Sequence, residues 1–156
     1  HTGRFAPNAD AHPRVRAGEH GREFVVADGA DGKPIYVSEL DVARLLQAKA
    51  AIAAGIICLL NRVGLTPPDV KTLHLAGGFG FHMDIDNVIR CGLLPGFRPD
   101  QISLVGNTSL AGAYLALLDS SVLDEMKQMS AGLETIELNL DPSFESCYID
   151  QLAVMG

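Results

Sequence analysis

The stretch LHLAGGFGFHMDID, residues 73–86, decides how this chain is read. Leu73, His74, Leu75 and Ala76 have the character of a short buried strand. Gly77 and Gly78 end it abruptly, Gly80 follows, and a helical pattern begins near Asp84. A strand that stops at Gly-Gly can turn sharply, because positive φ carries no Cβ penalty there. The same pair lets a flat or anionic ligand lie against bare backbone, at the carboxyl end of a strand where α/β sheets bind ligands, with a helix N-terminus close behind. A tight strand-to-helix turn with no ligand accounts for the pair equally well. The stretch lacks both the dinucleotide fingerprint and the Gly-Lys-Ser/Thr of a phosphate loop. Asp84 and Asp86 disfavour a dense phosphate cluster on the following helix. A nucleoside contact therefore fits better than a triphosphate cradle.

Outward from this turn the chain alternates. EFVVA (23–27) and PIYVS (34–38) are strand-like, and the two Asp-Gly pairs between them predict a hairpin. The longest helix is expected from Ser38, with Asp41 three residues on as a capping box and Gly64 closing it ahead of Pro67 and Pro68. A strand at 72–76, a helix at about 86–94, a strand at 102–105 and helices at 109–118 and 121–130 follow. TIELNL (135–140) reads as a strand, and Asp141 as the cap of a last helix with Pro142 in its first position. Such alternation indicates an α/β fold, a mixed sheet packed against helices. Residues 1–22 show no periodicity and read as an irregular leader, leaving 23–156 as one domain.

One residue on the long helix stands out. At about 100° per residue, Val42, Leu45, Leu46, Ile52, Ala53, Ile56, Leu60 and Val63 share one stripe, with Arg44, Gln47, Ala51, Cys58 and Arg62 on the other side. Lys49 falls in the middle of the apolar stripe. An unpaired buried charge is costly, so Lys49 either snorkels out at an edge or lines a cleft and donates to a ligand hydroxyl or phosphate.

The 156 residues suit a single compact domain. The net charge of −7, with no basic stripe, argues against a nucleic-acid partner. The longest apolar run, AAIAAGIICLL (50–60), is shorter than a membrane span, so no membrane partner is expected. Cys58, Cys91 and Cys147 have neither disulfide-framework nor metal-knuckle spacing and read as reduced thiols in a cytoplasmic setting. His74 is expected between sheet and helix, and His82 at the edge of a pocket. Phe79 and Phe81 flank Gly80, where they either close over a ligand or pack on the next helix. Asn107, Thr108 and Ser109 are capping candidates first, with a polar ligand contact from Thr108 as a second reading.

Two segments, LHLAGGFGFHMDIDNVIRCGLLP (73–95) and ISLVGNTSLAGAYLALL (102–118), closely resemble the C-terminal part of the reductive activators of corrinoid iron–sulfur proteins. ELDVARLLQAKAAIAAGI (39–56) resembles the preceding helix of the same family. These activators belong to the actin-like ATPase superfamily. The resemblance implies a single sublobe of an actin-like, ribonuclease-H-like ATPase domain with ATP or ADP lying between lobes. Gly77 and Gly78 match the strand-end glycines beside the adenosine, and Ala48–Lys49 match the helix lysine that approaches the ribose. Gly112 and Ala113 match a closely packed hinge helix, and Phe79, Gly80 and Thr108 join the candidate nucleotide contacts on the reading of the residues given above. The resemblance assigns no catalytic or metal-binding residue to this chain. The superfamily's two phosphate motifs do not occur in the chain, and no cysteine spacing fits an iron–sulfur cluster. Magnesium and a 2Fe–2S cluster are thus implied for other parts of an intact activator, with a corrinoid protein as its partner and a homodimer as a possible assembly. Two alternatives stay open: a non-catalytic partner-binding module with a vestigial nucleotide cleft, and a sugar-kinase-type phosphotransferase.

Overall fold

The computed structural model describes residues 4–153. It is an α/β fold in which antiparallel and parallel strand pairing occur in two separate sheets. The first is a three-stranded antiparallel meander of β1 (Val15–Gly18), β2 (Gly21–Asp28) and β3 (Pro34–Ser38). The expected hairpin is β2–β3, closed where Gly29 N–H donates to Lys33 O at 2.8 Å.

Strand β1 lies inside the stretch expected to be irregular. It is too short and too rich in Arg and Gly to show a period of two, and its order comes from its partner. Arg16 pairs with Glu23 across the ladder at 2.9 Å. Gly18 leaves room for that carboxylate, since a Cβ there would stand 2.1 Å from Glu23 Oε1.

Helix α1 (Glu39–Arg62) forms as expected, with both arms of its capping box made. Ser38 N–H donates to Asp41 Oδ2 at 2.9 Å, and Asp41 N–H to Ser38 Oγ at 3.1 Å. At 24 residues α1 is long and apolar enough, by length and composition, to cross a membrane, although its longest uninterrupted apolar run is short. In the fold it is the central helix, contacting β2, β3 and the last helix, α5 (Phe144–Asp150). Covered on more than one side, it buries a different stripe from the expected one. Leu46, Lys49, Ala50, Ala53, Ala54, Gly55 and Cys58 are buried, whereas Leu45, Ile52 and Val63 are exposed.

The second sheet pairs β4 (Leu73–Ala76) with β5 (Ile102–Gly106) in parallel. One of its faces meets the core of Val88, Leu94 and Phe97, joined by Ile56 and Leu60 of α1. On the other face His74 is exposed rather than covered by a helix. Between the strands, α2 (Ile85–Arg90) is shorter than expected. Gly92 at φ +79° reverses the chain, so Leu93 and Leu94 turn inward to the core instead of extending the helix.

Asn107 caps α3 (Thr108–Leu118), accepting from Leu110 N–H at 3.0 Å. Helix α4 (Ser121–Ala131) packs on α3 where Gly112 leaves room for Met126, whose Cε would lie 3.1 Å from a Cβ there. Residues 135–140 form no strand among the described residues. Their alternation has no ladder to join, and Leu138–Leu140 is a single 3-10 turn placed over Gly55. Asp141 does not cap α5 directly. It accepts from Ser143 N–H at 2.8 Å, and α5 begins two residues later than expected.

The N-terminal end is tied down at Glu39. Its carboxylate accepts from Phe5 N–H (2.7 Å), Arg22 N–H (3.0 Å) and the Arg22 guanidinium (2.8 and 3.1 Å). The Arg22 backbone N–H, then the guanidinium, then the Phe5 N–H hold the Glu39 carboxyl at about 2, against an ordinary 4.5. A carboxyl lowered on folding stabilises the fold above its ordinary value, and the contribution disappears as the pH falls through the folded value. Wild-type stability in urea is therefore expected to drop as the pH falls from 4.5 to about 2. Glu39→Gln is expected to be less stable at neutral pH and to show a shallower acid limb; parallel acid limbs would contradict this.

Candidate functional site

A groove of about 470 Å³ runs between one side of α1 and the turn and helix that follow β4. Leu45, Ala48, Lys49 and Ile52 form one wall, and Phe79, Met83, Asp84, Asn87, Val88, Cys91 and Leu93 the other. Nearly all of this surface is hydrocarbon or ring, so the groove suits the flat or apolar portion of a ligand. Met83, Asn87 and Cys91 recur every four residues, a spacing legible in the sequence that places them on one face. A slightly larger hollow of about 510 Å³ lies beside Arg22 and Glu39. Those two groups already satisfy each other there, so it offers little to a ligand.

Lys49 is the one buried cation of the groove, 2% exposed. Among the described residues its ammonium makes one hydrogen bond, 2.6 Å to the carbonyl of Ala153, and meets no carboxylate. It rests over Gly92, where a Cβ would stand 3.1 Å from Nζ. Burial lowers the pKa of Lys49 from its ordinary 10.5, with the Cys91 thiol opposing weakly.

The strand-end glycines occupy the carboxyl end of the parallel pair. Gly77 adopts φ +103° and its N–H donates to Gly106 O at 2.7 Å, tying together the ends of β4 and β5. Thr108, the first residue of α3, lies just past that junction and is exposed. Gly78 differs from its neighbour. It has no positive φ, and a Cβ built on it meets nothing within 4 Å. Gly80 begins a short 3-10 turn, with only ordinary contact to Leu75.

The structure thus sets the proposed residues in two adjoining places, Lys49 with Phe79 in the groove and Gly77, Gly78 and Thr108 at the strand ends. Phe79 is 83% exposed at the groove, whereas Phe81 stands edge-on to His82 with ring centroids 5.5 Å apart. Ala153, which takes the Lys49 hydrogen bond, carried no signal in the sequence.

The cysteines do not form a metal centre. Cys58 is buried with Sγ 3.7 Å from Ser143 Oγ, and burial, then Cys58, raise the pKa of the Cys147 thiol. Cys91 lies apart in the groove wall. Among the described residues no three His, Cys, Asp or Glu side chains converge, so this chain's residues do not fit an iron–sulfur cluster.

Residues 1–156 match the family described as the C-terminal domain of RACo, the ASKHA domain. The chain is 30% identical over 147 residues to the corrinoid activation enzyme RamQ of Eubacterium limosum, covering 90% of this chain and 25% of that protein. It is 29% identical over 124 residues to the [Co(II) methylated amine-specific corrinoid protein] reductase of Methanosarcina barkeri, covering 78% and 23%. A solved reductive activator for corrinoid, iron–sulfur protein superposes with a TM-score of 0.83 at 34% identity, over 95% of this chain and 24% of that one. The chain spans about a quarter of the length of each of these relatives.

Lys49 sets a stability test. A lysine whose pKa is lowered by burial opposes folding below its folded value, and the penalty lifts as the pH rises toward 10.5. Replacing it with methionine removes a charge that no carboxylate among the described residues balances while keeping the stem. Lys49→Met is expected to be at least as stable as wild type in urea at neutral pH. A loss above about 1 kcal/mol would show the ammonium to be a net stabiliser.

Proposed function

The chain belongs to the RACo C-terminal family, the ASKHA domain of reductive activators of corrinoid iron–sulfur proteins, and from this premise we propose that it forms the adenosine-binding wall of such an activator. The observation that carries the proposal is Gly78. A glycine is needed where φ is positive or where a Cβ would collide, and Gly78 meets neither condition within the described residues. It nevertheless sits at the carboxyl end of a parallel strand pair, next to an apolar groove holding a buried ammonium. A flat ligand lying on the backbone accounts for the missing side chain.

In this reading Lys49 donates to a ribose hydroxyl, Phe79 covers a face of the base, Gly77 and Gly78 present bare backbone, and Thr108 offers a hydroxyl beyond the strand ends. Gly80 lets the turn carrying Phe79 fold back toward β4. ATP, if bound, would supply the phosphoanhydride energy that an intact activator couples, through closing of its lobes, to electron transfer to a corrinoid protein. The phosphates, magnesium and a 2Fe–2S cluster require residues outside this chain, which therefore has no turnover of its own. The exposed face of α3, where Leu110, Tyr114, Leu117 and Leu118 all lie open, is assigned to the rest of an intact activator.

Titration calorimetry with ADP tests the reading. Wild-type chain is expected to bind and Lys49→Ala to lose binding. Gly78→Ala is expected to leave stability within about 0.5 kcal/mol of wild type and to weaken ADP about tenfold. Equal affinity of wild type and Gly78→Ala would remove the reason for placing a ligand on this backbone.

A further inference from the structure

The acceptor on Lys49 comes from an unexpected place. Ala153 is 104 residues away in sequence, three residues past the end of α5. Helix α5 lies along α1, with Ser143 against Cys58 near its start. Beyond it the described residues 151–152 make short-range turns: Gln151 N–H donates to the carbonyls of Cys147 and Tyr148, and Leu152 N–H to that of Ile149. Those turns deliver the Ala153 carbonyl to the ammonium. The contact is charge-assisted on the donor side, and among the described residues only this neutral carbonyl meets the buried charge.

We infer that residues 151–153 act as a displaceable cap on Lys49, in which the Ala153 carbonyl holds the ammonium that a ligand hydroxyl in the groove would engage, so that docking of this segment and ligand binding compete. This rests on the nucleotide reading above. The cap is suited to release. Its own turn hydrogen bonds survive displacement, and the bond to Lys49 is the one long-range hydrogen bond it makes among the described residues. A site available for only a fraction of the time binds more weakly by that fraction, so the tail sets the apparent affinity of the groove without touching the ligand.

Amine acetylation followed by mass spectrometry tests this in the chain as it stands. It holds four lysines, and Lys33 and Lys127 are exposed internal standards. Lys49 is expected to react much more slowly than either. Ending the chain after Asp150 should raise its rate about tenfold relative to those standards, and tighten ADP by a similar factor. An unchanged Lys49 rate overturns the cap. Equal ADP affinity with and without the tail overturns the competition. If truncation raises the Lys49 rate but ADP protects neither form, the cap stands and the nucleotide reading fails. Should the shortened chain fail to fold, Leu152→Gly in the full chain loosens the same segment, and the same ratio decides.

Discussion

A Cβ on Gly55 would come within 3.2 Å of Leu138, and Ala50, Ala53 and Ala54 beside it are completely buried. The middle of α1 is thus lined with almost no side chain, and that constraint organises the rest of the molecule. Small residues let neighbouring segments approach one helix closely on more than one side. The turn at 138–140 closes over Gly55, α5 lies alongside, and the parallel strands and their core meet the C-terminal half through Ile56 and Leu60. Larger residues along this stripe would force the neighbours outward, since close-packed interiors have little spare volume. With them would go the geometry that buries Lys49.

How much of this was legible follows from where each signal resides. The α1 capping box and the β2–β3 hairpin are legible because their hydrogen bonds join residues close in sequence, whereas the strand ending in Gly-Gly shows through its residue types alone, its ladder partner β5 lying far along the chain. Lys49 was legible as an anomaly on an apolar face. Its acceptor was not, because a carbonyl brought from the far end of the chain leaves no local pattern. The α1 stripe was only half legible. A one-sided wheel puts Cys58 outside, but α5 covers that side, and Leu45 and Ile52 are left to line a groove instead. Strand β1 and the failed strand at 135–140 show the complementary limit: whether a segment becomes a strand depends on a partner, and neither alternation nor its lack encodes one.

The site divides along a chemical boundary. The groove and strand ends offer hydrocarbon, aromatic surface, bare backbone, one ammonium and the Asp84 carboxylate, and on the reading proposed above this set serves a nucleoside rather than a polyphosphate. Its cysteines are placed for packing. Cys58 and Cys147 lie between α1 and α5, and the raised thiol pKa of Cys147 keeps it protonated and weakly nucleophilic. On the proposed reading, recognition and chemistry would be held on different segments and meet when those segments close on each other.

Helix α3 has a colloidal consequence. It buries none of its residues, and Leu117 is 85% exposed. An open hydrocarbon surface of this kind attracts its own copies. What opposes that attraction is long-range repulsion from a net charge of −7, which acid or concentrated salt weakens. Taken on its own, the chain is expected to self-associate through α3 once its net charge is neutralised or screened.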